Sequence, residues 1–185
     1  MTNYVDLSGK PFHFVGIGGI GMSALAYILA KRRLPVSGSD IRESHITEKL
    51  AALGAHIFSR QDASNLEFFR SQTDASPQAL AVSGNSAPVL VKPTRRSASQ
   101  AIANSKIADL PQVICSTAIH AGNLEYQAAL DLGCPIFHRS DLLAALIQER
   151  YSIAVAGTHG KTTTSSAIGY MLLKAGLDPT IIVGG

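Results

Sequence analysis

The sequence has no tryptophan, few aromatic residues and no long hydrophobic run, and each shortage excludes a class of protein. Aromatic residues make up 6% of the 185 residues, too few for a platform that stacks nucleic-acid bases. The most apolar stretch, residues 17–30, contains glycine and serine and is shorter than a membrane-spanning helix. The N-terminus lacks the basic residues and apolar core of a secretory signal. We therefore expect a cytoplasmic protein that binds neither nucleic acid nor membrane.

Cysteine is also scarce, and the positive charge is confined to one segment. Cys115 and Cys134 each lie beside apolar, strand-like residues, which predicts buried reduced thiols in place of a disulfide. The histidines show no metal-ligand spacing with these cysteines, so a zinc site is not expected. Residues 72–108 carry four basic residues and one acidic residue, a net +3, which equals the net charge of the whole chain. The basicity therefore does not indicate a surface for nucleic acid.

What the chain does have is a 46% apolar content, typical of a core-forming protein, and a glycine-rich turn near its start. The predicted strand Phe12–Val15 is followed by Gly16, Gly18 and Gly21 in the spacing G-x-G-x-x-G, and then by a predicted helix. Asp40 ends the next strand, 19 residues after Gly21, where dinucleotide sites place a carboxylate on the ribose. The pattern predicts a diphosphate at a helix N-terminus. NAD is the default nucleotide for it, and a tight turn without a ligand is the alternative.

A second small-residue turn lies near the end of the chain. Residues 157–164 read Gly-Thr-His-Gly-Lys-Thr-Thr-Thr and follow an apolar run over residues 152–156. The amides of such a turn and of the next helix attract an anion. Lys161 can reach the outer phosphates of a triphosphate, and Thr162 can ligate Mg²⁺. The general pattern G-x-x-x-x-G-K-[ST] needs glycine where this chain has Val155, so a turn that binds nothing is the alternative.

The remaining elements alternate as in a parallel α/β sheet. We predict strands over residues 36–40, 55–58, 110–119, 135–137, 152–156 and 180–183, and helices over 62–70, 123–132 and 161–175. Ser44 and Ser140 are predicted to cap two more helices, which end near Leu53 and Arg150. Residues 72–108, rich in Ser, Ala and Pro, are predicted to be an irregular insertion, to which we assign no function. The fold class is α/β: a Rossmann-like parallel sheet over residues 1–150, then the truncated start of a P-loop ATPase domain over 151–185.

Both loops resemble those of the Mur ligases, which build the peptide stem of the bacterial cell wall. The phosphate loop of that family typically reads G-T-[HN]-G-K-[ST]-[ST], which residues 157–163 match without the early glycine. Residues 16–23 resemble the family loop that holds the diphosphate of a UDP-sugar. Ser116-Thr117 and Arg139 resemble a hydroxyl motif and a basic pair that follow two successive strands of the family. The insertion at 72–108 is a departure, because the family normally passes there in a short connection.

The resemblance implies an ATP-dependent enzyme that joins L-alanine to the carboxylate of UDP-N-acetylmuramate through an acyl phosphate, with Mg²⁺, in peptidoglycan precursor synthesis. This process serves cell-wall biogenesis, cell shape and cell division. A family member that joins a tripeptide to the same UDP-sugar ranks second. The implied ATP-binding residues, with Lys161 catalytic and Thr162 on the metal, are Gly157, Thr158, His159, Gly160, Lys161, Thr162 and Thr163. The implied UDP-sugar-binding residues, with Asp40 on the uridine side, are Gly16, Gly18, Gly19, Ile20, Gly21, Met22, Ser23, Asp40, Ser116, Thr117 and Arg139.

Two other functions stay open on the sequence. An NAD(P)-dependent oxidoreductase would use the first loop but leaves the second loop without a role. A non-catalytic nucleotide-sugar-binding module would suit so short a chain. Residues 151–185 supply too few elements for an independent core, and no carboxylate within 157–166 can ligate Mg²⁺. We therefore expect the 185-residue chain by itself to show no ligase turnover.

Overall fold

The computed structural model describes residues 4–69 and 110–183, and within them five parallel strands form one sheet. The strands are β1 (Phe12–Val15), β2 (Val36–Ser39), β3 (His56–Phe58), β4 (Gln112–Cys115) and β5 (Ile136–His138). The helices are α1 (Ile20–Lys31), α2 (His45–Ala52), α3 (Leu124–Asp131), α4 (Arg139–Gln148) and α5 (Lys161–Lys174), with a 3₁₀ helix over Ala63–Glu67. None of the helices in these described residues is long and apolar enough to span a membrane.

The strand order β3-β2-β1-β4-β5 makes β1 the centre of the sheet. On one side β1 pairs with β2, from Phe12↔Val36 to Val15↔Ser39. On the other side it pairs with β4, starting at Phe12↔Gln112. The order therefore reverses between β1 and β4, and open α/β sheets bind ligands beyond the carboxyl ends of their strands at such a point. The prediction of a Rossmann-like parallel sheet is confirmed, and the loops after β1 and β4 are the place to seek a ligand.

Two separate cores cover the two faces of the sheet, because successive side chains of a strand point to opposite faces. Phe12, Phe14 and Ile114 belong to one core, where α1, α2 and α4 contribute Leu25, Leu29, Leu50, Leu142 and Leu146. Val15, Val113 and Cys115 belong to the other core, with Leu66 of the 3₁₀ helix and Ala129 of α3. Both cysteines are buried and neither forms a disulfide, as predicted.

The helix starts were predicted unevenly. Ser44 caps α2 as expected, in a reciprocal pair: its hydroxyl accepts the Thr47 N–H at 3.3 Å and its own N–H donates to the Thr47 hydroxyl at 2.9 Å. The predicted cap Ser140 is wrong, because His138 caps α4 by accepting the Ser140 N–H at its Nδ1. The helix predicted over 62–70 begins as a 3₁₀ helix and is α-helical at 68–69, and its N-cap Asp62 binds the Ser64 amide and hydroxyl through its carboxylate. Such local side-chain bonds compete with α-helical ones.

Two of the predicted strands are wrong, and one is too long. Residues 152–156 and 180–183 pair with no strand within the described residues, because a strand needs a partner for its backbone groups and this part of the chain offers only α5. There Ile181 packs against Gly169 of α5. The strand predicted over 110–119 ends at Cys115. The predicted insertion at 72–108 lies outside the described residues.

Candidate functional site

The glycine loop after β1, residues 16–19, is hydrogen-bonded to the carboxyl end of β2. Gly16 has a φ of +79°, a left-handed conformation that strains any residue with a Cβ. The N–H groups of Gly16 and Ile17 both donate to the carbonyl of Ser39, at 2.8 and 2.9 Å. The loop therefore has a shape that is set by β2 and does not depend on a ligand.

Asp40 holds the same loop from its side chain. One carboxylate oxygen accepts the Gly18 N–H at 2.8 Å, and the other accepts the Arg42 N–H at 2.9 Å. A Cβ on Gly18 would lie 2.7 Å from the Asp40 oxygen, so a larger residue here must displace the carboxylate that binds the loop. The sequence spacing identified Asp40 as a site residue but gave no sign of this support of the loop. Its contact with the uridine side of a ligand stays a prediction.

The N-terminus of α1 is open to an anion. Its N-cap, Gly19, has no side chain to cap the helix, and the first turn contains no acidic residue. The amides of Ile20, Gly21 and Met22 therefore have no acceptor within the helix, whereas the Ser23 N–H donates to the carbonyl of Gly19 at 2.8 Å. Free amides at the positive end of a helix dipole are the ordinary means of binding a phosphate.

Two side chains of this first turn make contacts within the protein. Met22 is buried in the core that α1 covers. The Ser23 hydroxyl donates to the carbonyl of Ile20 at 3.2 Å. The Ile20 side chain is exposed. Contact of Ile20, Met22 or Ser23 with a ligand stays a prediction.

Arg139 joins this helix end from β5. It is the first residue of α4, and its guanidinium lies against Gly21, where any Cβ would overlap Nη1. The structure therefore brings together two predicted site residues that are far apart in sequence. A guanidinium beside a helix N-terminus places two positive groups together, which is unfavourable unless an anion lies between them or beside both. Arginine matches phosphate oxygens in charge and geometry.

The loop after β4 lies beside the glycine loop. Ser116 and Thr117 follow Cys115 directly, and the Ser116 carbonyl accepts the Ile119 N–H at 3.1 Å. Ile119 lies 3.9 Å from the position that a Cβ on Gly16 would take. The two loops at the reversal point of the sheet are therefore neighbours, and Thr117 is exposed there. Contact of either hydroxyl with a ligand stays a prediction.

The second loop leads into α5 through Gly160. This N-cap glycine has a φ of +76°, and α5 has neither a side-chain cap nor an acid in its first turn. Thr158, His159, Thr162 and Thr163 are exposed. Lys161 folds back over the loop, and its Nζ donates to the carbonyls of Gly157 at 2.6 Å and Thr158 at 3.2 Å. An ammonium group, free amides and hydroxyls at one helix start suit a polyphosphate.

The described residues supply only part of a Mg²⁺ site. Thr162 offers a hydroxyl at the helix start, but the segment 157–166 contains no carboxylate. No cluster of three His, Cys, Asp or Glu side chains suited to a metal occurs in the described ranges. Mg²⁺ ordinarily takes one or two carboxylates together with phosphate oxygens. Thr162 therefore fits as one ligand of a shell that other groups complete.

Comparison with known proteins agrees with the family resemblance that the two loops indicate. Residues 11–151 match the family described as Mur ligase family, catalytic domain. This chain belongs to the Mur ligase family. The UDP-N-acetylmuramate–L-alanine ligase of Nostoc punctiforme is 65% identical over 185 residues, which cover 100% of this chain and 34% of that protein. The chain thus spans about a third of the length of the curated relatives that it matches.

Solved structures of Mur ligases share the fold. UDP-N-acetylmuramate–alanine ligase from Thermotoga maritima is 27% identical with a TM-score of 0.62, over 90% of this chain and 30% of that one. UDP-N-acetylmuramate:L-alanyl-gamma-D-glutamyl-meso-diaminopimelate ligase from Neisseria meningitides is 25% identical with a TM-score of 0.65, over 91% of this chain and 41% of that one. Membership of the family confirms the resemblance and leaves the oxidoreductase interpretation without support.

Sequence reasoning missed one feature of this Mur ligase chain, a cluster of polar side chains beneath the glycine loop. His13, Ser37, Ser39 and Glu125 are fully buried, and Asn65 is nearly so. The nearby Cys115 thiol has a pKa that burial, and secondarily the Glu125 carboxylate, raises to about 12. In the sequence, the only sign of this polar cluster was that His and Ser occur within two predicted strands.

Proposed function

We propose that this chain is the UDP-sugar-binding part, and the beginning of the ATP-binding part, of a cytoplasmic ligase that joins L-alanine to UDP-N-acetylmuramate in peptidoglycan precursor synthesis. The name of the Nostoc punctiforme relative supports this activity, and its 65% identity spans the whole chain. The proposed parts are residues 1–150 and 151–185. The complete reaction belongs to a longer chain, because the curated relatives are about three times as long.

The observation that carries the proposal is the contact of Arg139 with Gly21 at the uncapped start of α1. The helix dipole and the guanidinium together favour a group with more than one negative charge, which a diphosphate supplies. The site lies where the strand order reverses, so a sugar or base attached to the diphosphate has a crevice beside the sheet to occupy. A UDP-sugar fits these requirements.

The choice of L-alanine over a longer peptide follows from sequence and not from fold. The two solved ligases, which differ in the amino component of their names, have TM-scores of 0.62 and 0.65 to this chain. Their folds therefore do not discriminate between the two activities. The 65% identity to the alanine ligase of Nostoc punctiforme supports L-alanine.

The chemistry that the proposal requires suits the second loop. A carboxylate is a poor electrophile, and transfer of the γ-phosphoryl group of ATP to it creates a leaving group for attack by the amino group of L-alanine. In this proposal Lys161 leaves the loop carbonyls that its Nζ now contacts and neutralises charge on the outer phosphates. A bound Mg²⁺, held in part by Thr162, would add charge neutralisation at the phosphates.

Calorimetric titration of the 185-residue chain with UDP-N-acetylmuramate, and separately with NADH, tests the first site. We expect the UDP-sugar to bind and NADH not to bind. Gly21→Val should raise the Kd by ~10-fold or more, because its side chain must displace Arg139. Gly122→Ala is the matched control, since a Cβ there meets no atom within 4 Å, and it should bind as the wild type does.

Each other outcome contradicts part of the proposal. Binding of NADH alone would overturn the assignment of the first loop. Equal binding by wild type and Gly21→Val would show that the UDP-sugar binds elsewhere. Binding of neither ligand would show that this chain does not contain a preformed site.

A further inference from the structure

The buried carboxylate of Glu125 gathers three hydrogen bonds directly beneath the glycine loop. His13 Nε2 and Asn65 Nδ2 both lie within hydrogen-bond distance of Oε1, at 2.8 and 2.7 Å, and the Ser39 hydroxyl donates to Oε2 at 2.5 Å. The Asn65 amide and the Ser39 hydroxyl donate to these oxygens, and His13 donates in the tautomer that carries its proton on Nε2. Glu125, His13 and Ser39 are all 0% exposed. So dry a carboxylate depends on all of its donors.

With Ser37, these residues form what we call the buried polar network, which connects four elements of the fold. His13 lies on β1, Ser37 and Ser39 on β2, Asn65 on the 3₁₀ helix and Glu125 on the first turn of α3. Ser37 joins through its hydroxyl, which is 2.8 Å from Nδ1 of His13. The network therefore crosses the sheet on the face opposite to α1.

Ser39 connects this network to the candidate ligand site. Its hydroxyl donates to Glu125, while its carbonyl accepts the N–H groups of Gly16 and Ile17. Any shift of Ser39 therefore moves the two amides that begin the glycine loop. Ser37, two residues earlier on the same strand, has an equivalent buried hydroxyl, but the loop amides of Gly16 and Ile17 bond to Ser39.

We propose that Glu125 is a positioning residue for the glycine loop: through the Ser39 hydroxyl it fixes the amides of Gly16 and Ile17, and so the start of α1 that faces the diphosphate. The identity of that ligand rests on the function proposed above. Glu125 touches no ligand in this role. A purely structural role is the rival, in which every bond of the network stabilises the fold and none acts on the site.

Ser39→Ala and Ser37→Ala distinguish these two roles, because each removes one buried hydroxyl and one bond of the network. Thermal unfolding should show similar losses of stability for both variants. For the affinity for UDP-N-acetylmuramate, measured by calorimetry below the unfolding transition, we expect Ser39→Ala to raise the Kd by ~10-fold or more, and Ser37→Ala to change it by less than ~2-fold.

Glu125→Gln tests the same path from its other end. Glutamine keeps the shape of the side chain but places an amide donor where one carboxylate oxygen accepted. We expect a rise in Kd similar to that of Ser39→Ala, and no further rise in the double variant, because the two residues act through one bond. Additive effects of the two changes would contradict the proposed path.

Hydrogen exchange of the Gly16 and Ile17 amides, measured by NMR without ligand, decides the inference independently of the proposed function. Both amides should exchange faster in Ser39→Ala and Glu125→Gln than in Ser37→Ala. Equal exchange in all three variants would overturn the inference, even if the UDP-sugar binds. If the wild type binds no UDP-sugar, this chain does not contain the preformed site proposed above, and the exchange rates still show whether Glu125 positions the loop.

Discussion

Gly21 matters to the candidate site because it has no side chain. Because no Cβ projects from the first turn of α1, the guanidinium of Arg139 can reach the helix where its amides are free. Gly21 supplies the space and Arg139 supplies the charge, although the two residues lie far apart in the sequence. The candidate site therefore depends on both residues, and changing either one should change the affinity for UDP-N-acetylmuramate.

Arg139→Ala should raise the Kd for UDP-N-acetylmuramate by ~10-fold to ~100-fold, the range expected for loss of one hydrogen bond to a charged group. Arg139→Lys should recover part of this loss, because it keeps the charge but not the planar guanidinium. Arg150→Ala, beyond the other end of α4, is the control. Calorimetric titration of the three variants checks the order, and an unchanged Kd in Arg139→Ala would contradict it.

Cys115 should shape the alkaline side of the stability profile. Its pKa is raised from 9.0 to about 12 in the folded protein. Between these values the unfolded chain loses the thiol proton while the folded chain keeps it, so the free energy of unfolding falls as pH rises, by about 1 kcal/mol per pH unit. Below the lower value both states keep the proton, and the thiol contributes no pH dependence.

Urea unfolding of wild type and Cys115→Ala across this range measures the effect as the difference in slope. Other groups titrate in both proteins, so their contributions cancel in that difference. Equal slopes for wild type and Cys115→Ala would show that the thiol ionises as easily in the folded protein as in the unfolded chain.

Among the elements, α2 shows how a helix start supports the site. The reciprocal bonds of Ser44 and Thr47 fix the first turn of α2. The Thr47 methyl carbon lies 3.2 Å from the position that a Cβ on Gly18 would take, next to Asp40. A cap that serves local helix stability therefore also packs against the glycine loop.

Ser44→Ala should lower the free energy of unfolding by about 1 kcal/mol, the usual loss when a helix cap is removed. Ser44→Asp should stay close to the wild type, because aspartate also accepts the amide of the third helical residue. Chemical denaturation of the three proteins measures this. A loss in Ser44→Asp as large as in Ser44→Ala would show that the cap matters through something other than its acceptor.

The elements also show what a sequence can predict and what it cannot. The cap at Ser44 depends on residues within one helical turn, so the local sequence was enough to predict it. The strands expected at 152–156 and 180–183 depend on partners elsewhere, and apolar, β-branched residues alone do not provide them. The cap at His138 was missed because histidine rarely fills that position.

Some contacts of the candidate site were missed for the same reason as the absent strand partners. Glycine spacing identified the two loops, because backbone conformation constrains the residue type at Gly16 and Gly160. The contacts of Gly18 with Asp40 and of Gly21 with Arg139 join distant positions, so no local pattern contains them. The buried polar network was missed because a histidine or serine within a strand gives no sign of which face it occupies.

For the molecule as a whole, the two parts of the chain differ in burial. The sheet of residues 12–138 is covered on both faces. Among the described residues from 151 to 183, Gly169 alone is buried, and apolar side chains such as Met171 and Leu177 are more than half exposed. Residues 151–183 thus lack the covered core that residues 12–138 have.

The 185-residue chain should therefore release no phosphate from ATP in response to UDP-N-acetylmuramate and L-alanine together, because Lys161 and Thr162 stand without a carboxylate ligand for Mg²⁺ in their segment. A phosphate-release assay with each substrate omitted in turn measures this. A chain extended to the length of the curated relatives is the positive control. Turnover by the short chain that needs both substrates would contradict the prediction.

The pairing of β1 with β4 has a consequence for how the protein acquires its site. Phe12 and Gln112 are neighbours in the sheet but lie 100 positions apart in the chain, whereas β1 and β2 meet through a single short helix. Local pairings form fastest, so β1, β2 and β3 should assemble before β4 arrives. The crevice between the β1 and β4 loops then exists only after the slowest closure. The entropy of that closure grows with the logarithm of chain length, about 0.6 kcal/mol per doubling, so the connection between β3 and β4 can change in length at little expense to stability.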